Sequence, residues 1–405
     1  MIQQNDRNYE FPIVSMNKKE YMAISAWIEK NRNLFEEESN DIYIFGAGIR
    51  GNMMLLLIEN AGLKIRGFID NSKEKQGGHV AGYAIYALEE IELRNNHVKI
   101  LISTEDSYDI EAMLEQKGFM KDQNYYVIHN MIYDKYVDDF FCEKEIDYIA
   151  FGDCFFTEQD VDDLAGKTMG DVLIQKMGKI KILSLHGMCI PSFYYLMLEQ
   201  LRLGIRPKAV AFIVNIPFCN SIQTKLPQSQ HYELFKRIAE KSEGLSEETL
   251  EYIELVKMRS QNINQKAFAT QHTRNHEHID KMLTKSRYMY KFQKDNENVV
   301  YAKKMIEMLK KEGIKPVPFI PSLNTYVGEE WFGDDFIKKY SKICEDIKEY
   351  LNMDDVKVVD MSFLLKRGDY AGDRVTKFPT ADGKNREMEL LAEEMRKKND
   401  EKKNN

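Results

Sequence analysis

A cysteine that could act as a nucleophile follows a short apolar stretch near the middle of the chain. Residues 148–152 are mostly apolar, and Asp153, Cys154 and an acidic, helix-like stretch follow them. This pattern predicts a buried strand that brings Cys154 to the C-terminal edge of a sheet, where open α/β sheets bind ligands. Free N–H groups at a helix start would favour the thiolate. The alternative is that Cys154 is a small buried apolar side chain.

Histidines near other strand ends are the candidate bases. His186 follows an apolar strand pattern, so it should lie at the same sheet edge and could pair with Cys154. A partly buried, hydrogen-bonded histidine is the alternative interpretation, and His231 could also fold over this edge. His272 and His276 have the spacing of a metal-binding pair on a helix. Their segment is polar all round, which indicates a solvated face, so no metal site is predicted.

A glycine-rich turn near the N-terminus is a second candidate site. The strand pattern of residues 41–45 leads into a turn with Gly46, Gly48 and Gly51, and a helix and a second strand ending at Asp70 follow. The order is typical of a dinucleotide-type βαβ unit: the glycines allow a tight turn, phosphate approach and helix–strand packing. Asp70 could then accept hydrogen bonds from ribose hydroxyls. The same glycines would also serve packing alone, so both interpretations stay open.

Length and charge exclude several classes of protein. The chain has 405 residues, 43% of them hydrophobic, and a formal net charge of -8. Without a basic surplus, general nucleic-acid binding is not expected. No run approaches the ~20 apolar residues of a membrane-spanning helix. The polar N-terminus and five cysteines without a CxxC motif predict a cytoplasmic protein with reduced thiols.

Alternating strand and helix patterns predict an α/β protein with two parallel-sheet domains. We expect the second domain to have three layers, α/β/α. The expected parts are an N-terminal helical segment (1–40), a nucleotide-binding-type domain (41–142), a second domain (147–396) with a helical insertion (231–312), and a disordered tail (397–405).

The pattern of the first domain is similar to a known family. After the glycine turn, residues 67–91 read GFIDN..EKQG..V.GY.IY.LEEI, where dots stand for residues that are not part of the pattern. Over residues 41–128 this resembles the small Rossmann-like domain of sugar-nucleotide and surface-polysaccharide enzymes. The resemblance implies a nucleotide or nucleotide sugar as a possible ligand, although such domains differ in what they bind.

The strand ends of the second domain resemble those of SGNH (GDSL-like) hydrolases. The Gly-Asp-Ser triplet that contains the nucleophile of that family is matched here by a glycine, Asp153 and Cys154. Gly187 matches the glycine whose N–H helps to form the oxyanion hole. Asn215 or Asn220 matches the asparagine of the hole, although the family's glycine-x-asparagine-aspartate pattern is not intact.

The catalytic base of the SGNH family is missing from its usual place. The family ends with Asp-x-x-His before a final helix, and here Asp373 fits while Thr376 replaces the histidine. A cysteine preserves nucleophilic chemistry, but a nucleophile without a base lacks an activator. His186 is the best substitute for that base.

The resemblance implies an acyl-ester hydrolase or acyltransferase that acts on a sugar, nucleotide sugar or surface-glycan precursor. Cys154 would attack, Gly187 and Asn215 would hold the oxyanion, and Asp373 would orient the base. This chemistry requires no cofactor, and the expected partner is a small-molecule or glycan substrate. Whether the protein forms a homo-oligomer stays open.

Two other functions stay open. One is a catalytically inactive SGNH-like binding or scaffold protein in surface-polysaccharide or glycan assembly, which the missing histidine favours. The other is an NAD-dependent oxidoreductase built on the glycine turn, although no convincing Tyr-x-x-x-Lys pair follows it. Residues 231–312, with the aromatic residues Tyr288, Tyr290 and Phe292, could form either a lid or a dimer arm.

Overall fold

A computed structural model describes most of the chain. The described residues are 8–9, 15–91, 97–104, 107–128, 130–142, 145–160, 166–220, 231–261, 276–353, 355–372, 374–376 and 378–397. Asp373 and His272, two of the residues singled out above, lie outside the described residues, as does the predicted tail beyond Lys397.

The chain divides into two compact units, which are Met1–Lys135 with Asp160–Asp162, and Tyr136–Gln159 with Asp163–Asn405. Each unit contains a mostly parallel sheet with helices. The predicted α/β class with two parallel sheets is therefore confirmed. Within the described part of the chain, no helix is long and apolar enough to cross a bilayer.

The first unit is built on a seven-stranded sheet. Its strand order is β1-β5-β6-β4-β3-β7-β8, and the described pairs are parallel except for β5 with β6. The strands of this unit are β1 Asn8–Tyr9, β2 Ser15–Asn17, which is not in this sheet, β3 Asp41–Phe45, β4 Gly67–Ile69, β5 His79–Val80, β6 Tyr83–Tyr86, β7 Val98–Ile102 and β8 Tyr125–Val127.

Strand β3 is central because the chain leaves it first towards β4 and β6, and later towards β7 and β8 on its other side. Four of its five residues are buried, as expected for an apolar strand inside a sheet. The helices are α1 Lys18–Lys30, α2 Arg32–Glu36, α3 Ile49–Asn60 and α4 Tyr108–Gln116, and the next helix, α5 Asn130–Phe140, contains the division between the two units.

Helix α5 lies in a segment that contains several aromatic residues. The side chains of Tyr133, Tyr136, Val137 and Phe140 are buried. Their spacing of three or four residues places them on one face of the helix. The aromatic clusters of this segment therefore belong to an amphipathic helix.

The second unit is built on a five-stranded parallel sheet with the order β11-β9-β12-β13-β14. Because β9 lies between β11 and β12, the chain turns to opposite sides after its first two strands. Such a reversal opens a crevice at the carboxyl ends of the strands. The strands are β9 Tyr148–Gly152, β10 Glu158–Asp160, which is not in this sheet, β11 Ile180–Ser184, β12 Ala209–Ile213, β13 Lys315–Ile320 and β14 Val359–Asp360.

Two pairs of helices cover this sheet. Helix α12 packs with α8, helix α15 packs with α7, and both pairs contact the sheet. The helices of the unit are α6 Cys154–Thr157, α7 Met169–Met177, α8 Ile190–Arg202, α9 Tyr232–Lys241, α10 Glu247–Gln261, α11 His276–Tyr288, α12 Glu297–Lys311, α13 Thr325–Phe332, α14 Asp334–Leu351 and α15 Ala381–Arg396. Within the segment 231–312, α12 contacts β13 directly and completes the crossover from β12.

The third glycine of the N-terminal turn allows a close contact between backbones. A Cβ atom on Gly51 would lie 1.9 Å from the carbonyl oxygen of Gly46, whereas one on Gly48 would meet nothing within 4 Å. The contact between α3 and the end of β3 therefore requires glycine at position 51.

We predict that Gly51→Ala lowers the free energy of unfolding by roughly 1–3 kcal/mol or more, because the added methyl group overpacks backbone. Gly48→Ala, the matched control, should cost only about 1 kcal/mol, because it loses a favourable N-cap residue but its methyl group meets no neighbouring atom. Urea unfolding measures both values. Equal losses in the two variants would contradict the packing role.

A buried glutamate on α15 makes stability depend on pH. Glu387 is fully buried, and its Oε1 accepts a hydrogen bond from the Ser322 N–H at 2.8 Å. Burial raises the pKa of Glu387 to about 7. The unfolded carboxyl titrates near ~4.3, so between these values the folded protein holds a proton that the unfolded chain releases. Stability should therefore fall as the pH rises through that window.

Glu387→Gln should stay neutral at every pH and keep an acceptor for Ser322. We expect it to be more stable than the unsubstituted protein above pH ~7, by roughly 1–3 kcal/mol. Thermal unfolding between pH 5 and 8 measures this difference. Glu393→Gln, at an exposed position of the same helix, is the control. A Glu387→Gln variant that gains no stability at pH 8 would refute the assignment.

Candidate functional site

The turn after β9 is shaped by two close contacts. A Cβ atom on Gly152 would lie 2.4 Å from the ring of Phe156, so the ring packs directly against the glycine. Asp153 then caps the single-turn helix α6, because its Oδ1 accepts a hydrogen bond from the Phe155 N–H at 3.0 Å. The turn therefore has a fixed path, with Cys154 as the first residue of the helix.

Asp153 joins the ends of three neighbouring strands. Its carboxylate is completely buried and accepts a hydrogen bond from the side-chain amide of Asn215, which follows β12. Its carbonyl oxygen accepts a hydrogen bond from the hydroxyl of Ser184, at the end of β11. Burial is the main cause that raises the pKa of Asp153, and the hydrogen bonds from Phe155 and Asn215 oppose it. Asp153 is therefore a positioning residue.

Cys154, His186 and Glu158 form a compact cluster at this edge. The Cys154 sulfur, a ring nitrogen of His186 and a carboxylate oxygen of Glu158 lie within 4.8 Å of one another. The Nδ1 atom of His186 is hydrogen-bonded to Oε1 of Glu158. The His186 side chain is 58% exposed and that of Glu158 only 9%. A buried carboxylate thus orients an imidazole that solvent and substrate can reach.

A second histidine supports the backbone beside the cluster. The ring of His231 is hydrogen-bonded through Nε2 to the carbonyl oxygen of His186 at 2.9 Å. His231 is buried and has left-handed backbone angles, with φ at 49°. A non-glycine residue pays a conformational cost for these angles. His231 thus lies at the sheet edge, where it contacts the backbone of His186.

The expected oxyanion donors lie at the same edge. Gly187 has a left-handed φ of 66°, which glycine adopts readily. Its N–H has no hydrogen-bond acceptor among the described residues. One N–H of Asn215 is used by Asp153, so its second N–H is the one available to a ligand. Asn220, the alternative, donates to the carbonyl of Ser286 at 2.8 Å.

The expected preference for a Cys154 thiolate is wrong. Burial, followed by the charges of Asp153 and Glu158, raises the pKa of Cys154 well above its ordinary value, and Arg287 opposes this shift. Helix α6 has four residues, which is too short for a substantial dipole. Cys154 is therefore a half-buried, neutral thiol that needs a base when it attacks.

A cavity of about 290 Å³, including space open to solvent, is formed largely by α11 and the loop before α15. Arg287, Tyr288, Trp331 and Thr376 are among its lining residues. Thr376, where the resemblance to SGNH hydrolases would place a histidine, thus lies at this cavity.

Two aromatic residues at the end of α11 contact other elements of the second unit. The ring of Tyr288 packs edge-on against that of Tyr340, with centroids 6.0 Å apart. The Tyr290 hydroxyl donates to the carbonyl of Ile216 at 2.7 Å. These contacts lie within the second unit and attach the end of α11 to α14 and to the segment after β12. Whether residues 231–312 form a lid or a dimer arm stays a prediction.

Sequence reasoning missed Glu158 and Arg287. Glu158 follows Cys154 by four residues, which is one helical turn, and this spacing was the available signal. It was hidden because Glu158 stands in an acidic stretch that resembles a solvated surface. For Arg287 no local signal exists, because its electrostatic influence on Cys154 depends on how distant segments pack.

The cluster also has the composition of a metal site, although none was predicted. Cysteine, histidine and glutamate are all zinc ligands, and a catalytic zinc ion commonly uses three protein ligands. Within the described residues, Cys154, Glu158 and His186 form the group that could hold a metal ion. The direct hydrogen bond between His186 and Glu158 is better suited to a base and its orienting carboxylate.

The glycine turn of the first unit has space for a ligand at Gly48, where no neighbouring atom would meet a Cβ. Asp70 is already engaged by protein groups. Its Oδ2 accepts hydrogen bonds from the Ala47 N–H at 2.8 Å and from Lys75 at 2.9 Å, and its Oδ1 accepts one from the Ser72 N–H. Asp70 therefore stabilises the turn, and its binding of a ribose stays a prediction.

Comparison with known proteins bears on the first unit. A family model described as C2185-like, N-terminal, matches residues 38–123. The match includes the glycine turn and Asp70 and ends before Cys154. No curated protein matches the chain.

The raised pKa of Cys154 predicts how the thiol reacts with iodoacetamide. Since only the thiolate is alkylated, the rate should keep rising above the pH of ~8.5 at which an ordinary thiol is half ionised. Mass spectrometry of the peptide that contains Cys154 measures this rate, and Cys154→Ala identifies background labelling at other thiols. A rate that is already constant below pH 7 would instead indicate a preformed thiolate.

Proposed function

We propose that the protein is an acyl-ester hydrolase or acyltransferase in which Cys154 is the nucleophile and His186 the base. The observation that supports this most strongly is the cluster of Cys154, His186 and Glu158. A nucleophile beside a base, with the base oriented by a third group, is the general arrangement of covalent acyl transfer.

The proposed reaction begins with a neutral thiol. As the Cys154 sulfur attacks the acyl carbonyl carbon, its proton moves to His186, and Glu158 stabilises the resulting imidazolium. The carbonyl oxygen becomes an oxyanion, for which the N–H of Gly187 and the second N–H of Asn215 are the candidate donors.

Collapse of this intermediate breaks the ester bond and leaves a thioester on Cys154. The leaving alcohol takes the proton from His186. Water, or the hydroxyl of an acceptor, then attacks the thioester while His186 accepts its proton, and the acyl group leaves as an acid or a new ester. The enzyme ends with the thiol and the neutral imidazole with which it began.

The SGNH-like strand order adds support from the fold. Numbered in chain order, the five strands of the sheet in the second unit are arranged 2-1-3-4-5, and Cys154, His186 and Asn215 follow the first three of them. The proposed enzyme departs from the family pattern because His186, after the second strand, replaces the histidine expected at Thr376. Asp373 is then not needed to orient the base, since Glu158 does so.

A sugar, nucleotide sugar or surface-glycan precursor is the proposed substrate class. The Rossmann-like strand order of the first unit and the open space at Gly48 are compatible with binding of the nucleotide end. In the second unit, Tyr288 and Trp331 give the cavity aromatic walls, which are usual in small-molecule sites.

The second candidate is an inactive SGNH-like binding or scaffold protein in glycan assembly. The raised pKa of Cys154 favours it, because a neutral thiol is also what a cysteine without a catalytic role would have. The two functions differ in whether the thiol accepts an acyl group.

We predict that p-nitrophenyl acetate acetylates Cys154, and that His186→Ala slows this step about 10²-fold or more. Intact-mass spectrometry with time measures the acetylation. Cys154→Ala should abolish it, and His97→Ala, which removes an exposed histidine of the first unit, should leave it unchanged.

Equal acetylation rates with and without His186 would refute the Cys–His mechanism and favour the binding protein. A zinc measurement on the same samples separates the metal site, because zinc held by Cys154 would be present at about one ion per chain. The proposed mechanism requires no zinc and should survive its removal by a chelator.

A further inference from the structure

The cavity lined by α11 contains an arginine with one buried nitrogen that makes no hydrogen bond to the described residues. The Nε atom of Arg287 is buried and has no hydrogen-bond partner among the described residues. A buried donor left unpaired costs free energy, so such a group requires an explanation. Arg287 lines the cavity, which is where a ligand could supply the missing acceptor.

The other charges at this cavity leave Arg287 as the surplus cation. Arg374 and Asp280 also line it, and they form an ion pair with each other at 3.6 Å. No ion pair is found between Arg287 and a described carboxylate of the chain. The cavity therefore has one positive charge that no carboxylate of the described residues contacts.

Arg287 is also close enough to the reacting group to influence it. Its charge favours the ionised form of Cys154. The adjacent Tyr288 interacts electrostatically with both Cys154 and Asp153. The Ser286 carbonyl accepts a hydrogen bond from Asn220, and the Tyr290 hydroxyl donates to the carbonyl of Ile216. The end of α11 is thus attached to the segment after β12, at the sheet edge where Cys154 lies, and a group bound by Arg287 would be at the same edge as the acyl group under attack.

We propose that Arg287 binds an anionic group of the substrate, a carboxylate or a phosphate, close to the acyl group that Cys154 attacks. The guanidinium is suited to this because its planar fork donates two parallel hydrogen bonds to either oxyanion. Arg287 would then select among acylated sugars for those that carry an acidic group near the ester.

This inference rests on the proposed function for its substrate, and its test separates the two. Iodoacetate and iodoacetamide alkylate the same sulfur and have nearly the same shape, but only iodoacetate is an anion. We expect Arg287→Met to lower the ratio of their rates at Cys154, iodoacetate over iodoacetamide, by roughly 3- to 10-fold, because it removes the attraction of a nearby cation.

Two variants control for changes in folding and in overall charge. Arg287→Lys keeps the positive charge, so the ratio of the iodoacetate rate to the iodoacetamide rate should stay close to that of the unsubstituted protein. Lys285→Met removes an exposed cation from the same helix, outside the residues that line the cavity, and should leave the ratio unchanged. An unchanged ratio in Arg287→Met, with normal labelling by iodoacetamide, would overturn the inference and leave the proposed function intact.

A measurement without chemistry at Cys154 covers the case in which the nucleophile proves unreactive. Sodium phosphate and sodium acetate, each compared with sodium chloride at equal ionic strength, should raise the melting temperature of the protein more than that of Arg287→Met. The anion that raises the melting temperature more indicates whether the site prefers phosphate or carboxylate. Equal shifts in the two proteins for both anions would overturn the inference.

Discussion

The buried carboxylate of Asp153 is the group on which the arrangement of the site depends. A charge without water is costly unless hydrogen bonds replace its hydration, and here the Phe155 N–H and the Asn215 amide do so. With Ser184 bound to its carbonyl oxygen, the same residue connects the ends of β9, β11 and β12. The direction in which Cys154 leaves the sheet follows from these contacts.

The same electrostatics determine how Cys154 can react. Asp153 and Glu158 make the thiolate unfavourable, so the cysteine at rest is a poor nucleophile towards chance electrophiles. Glu158 also holds His186 through a hydrogen bond, and in the proposed mechanism it stabilises the imidazolium that forms when the sulfur loses its proton. Glu158 therefore opposes a free thiolate but supports proton transfer during attack, which makes the reactivity of Cys154 dependent on the base.

Much of the fold of the second unit was predictable, because the carboxyl ends of parallel strands meet at the same edge of a sheet. An apolar run followed by a small or polar residue predicted that Cys154, His186 and Asn215 would lie together. The direction of the Cys154 pKa shift was not predictable from a helix start alone, because the helix has a single turn and burial outweighs its dipole. The role of Glu158 and the position of Arg287 depend on tertiary contacts that no local pattern records.

The most direct test of the central claim is a double-mutant cycle on the acetylation rate of Cys154, with His186→Ala, Glu158→Gln and the two combined. Residues that act as one unit show strongly non-additive effects. If Glu158 acts by orienting His186, the double variant should be no slower than His186→Ala alone. If the two losses instead multiply, Glu158 and His186 act independently, and the proposed base and its orienting carboxylate do not exist as a unit.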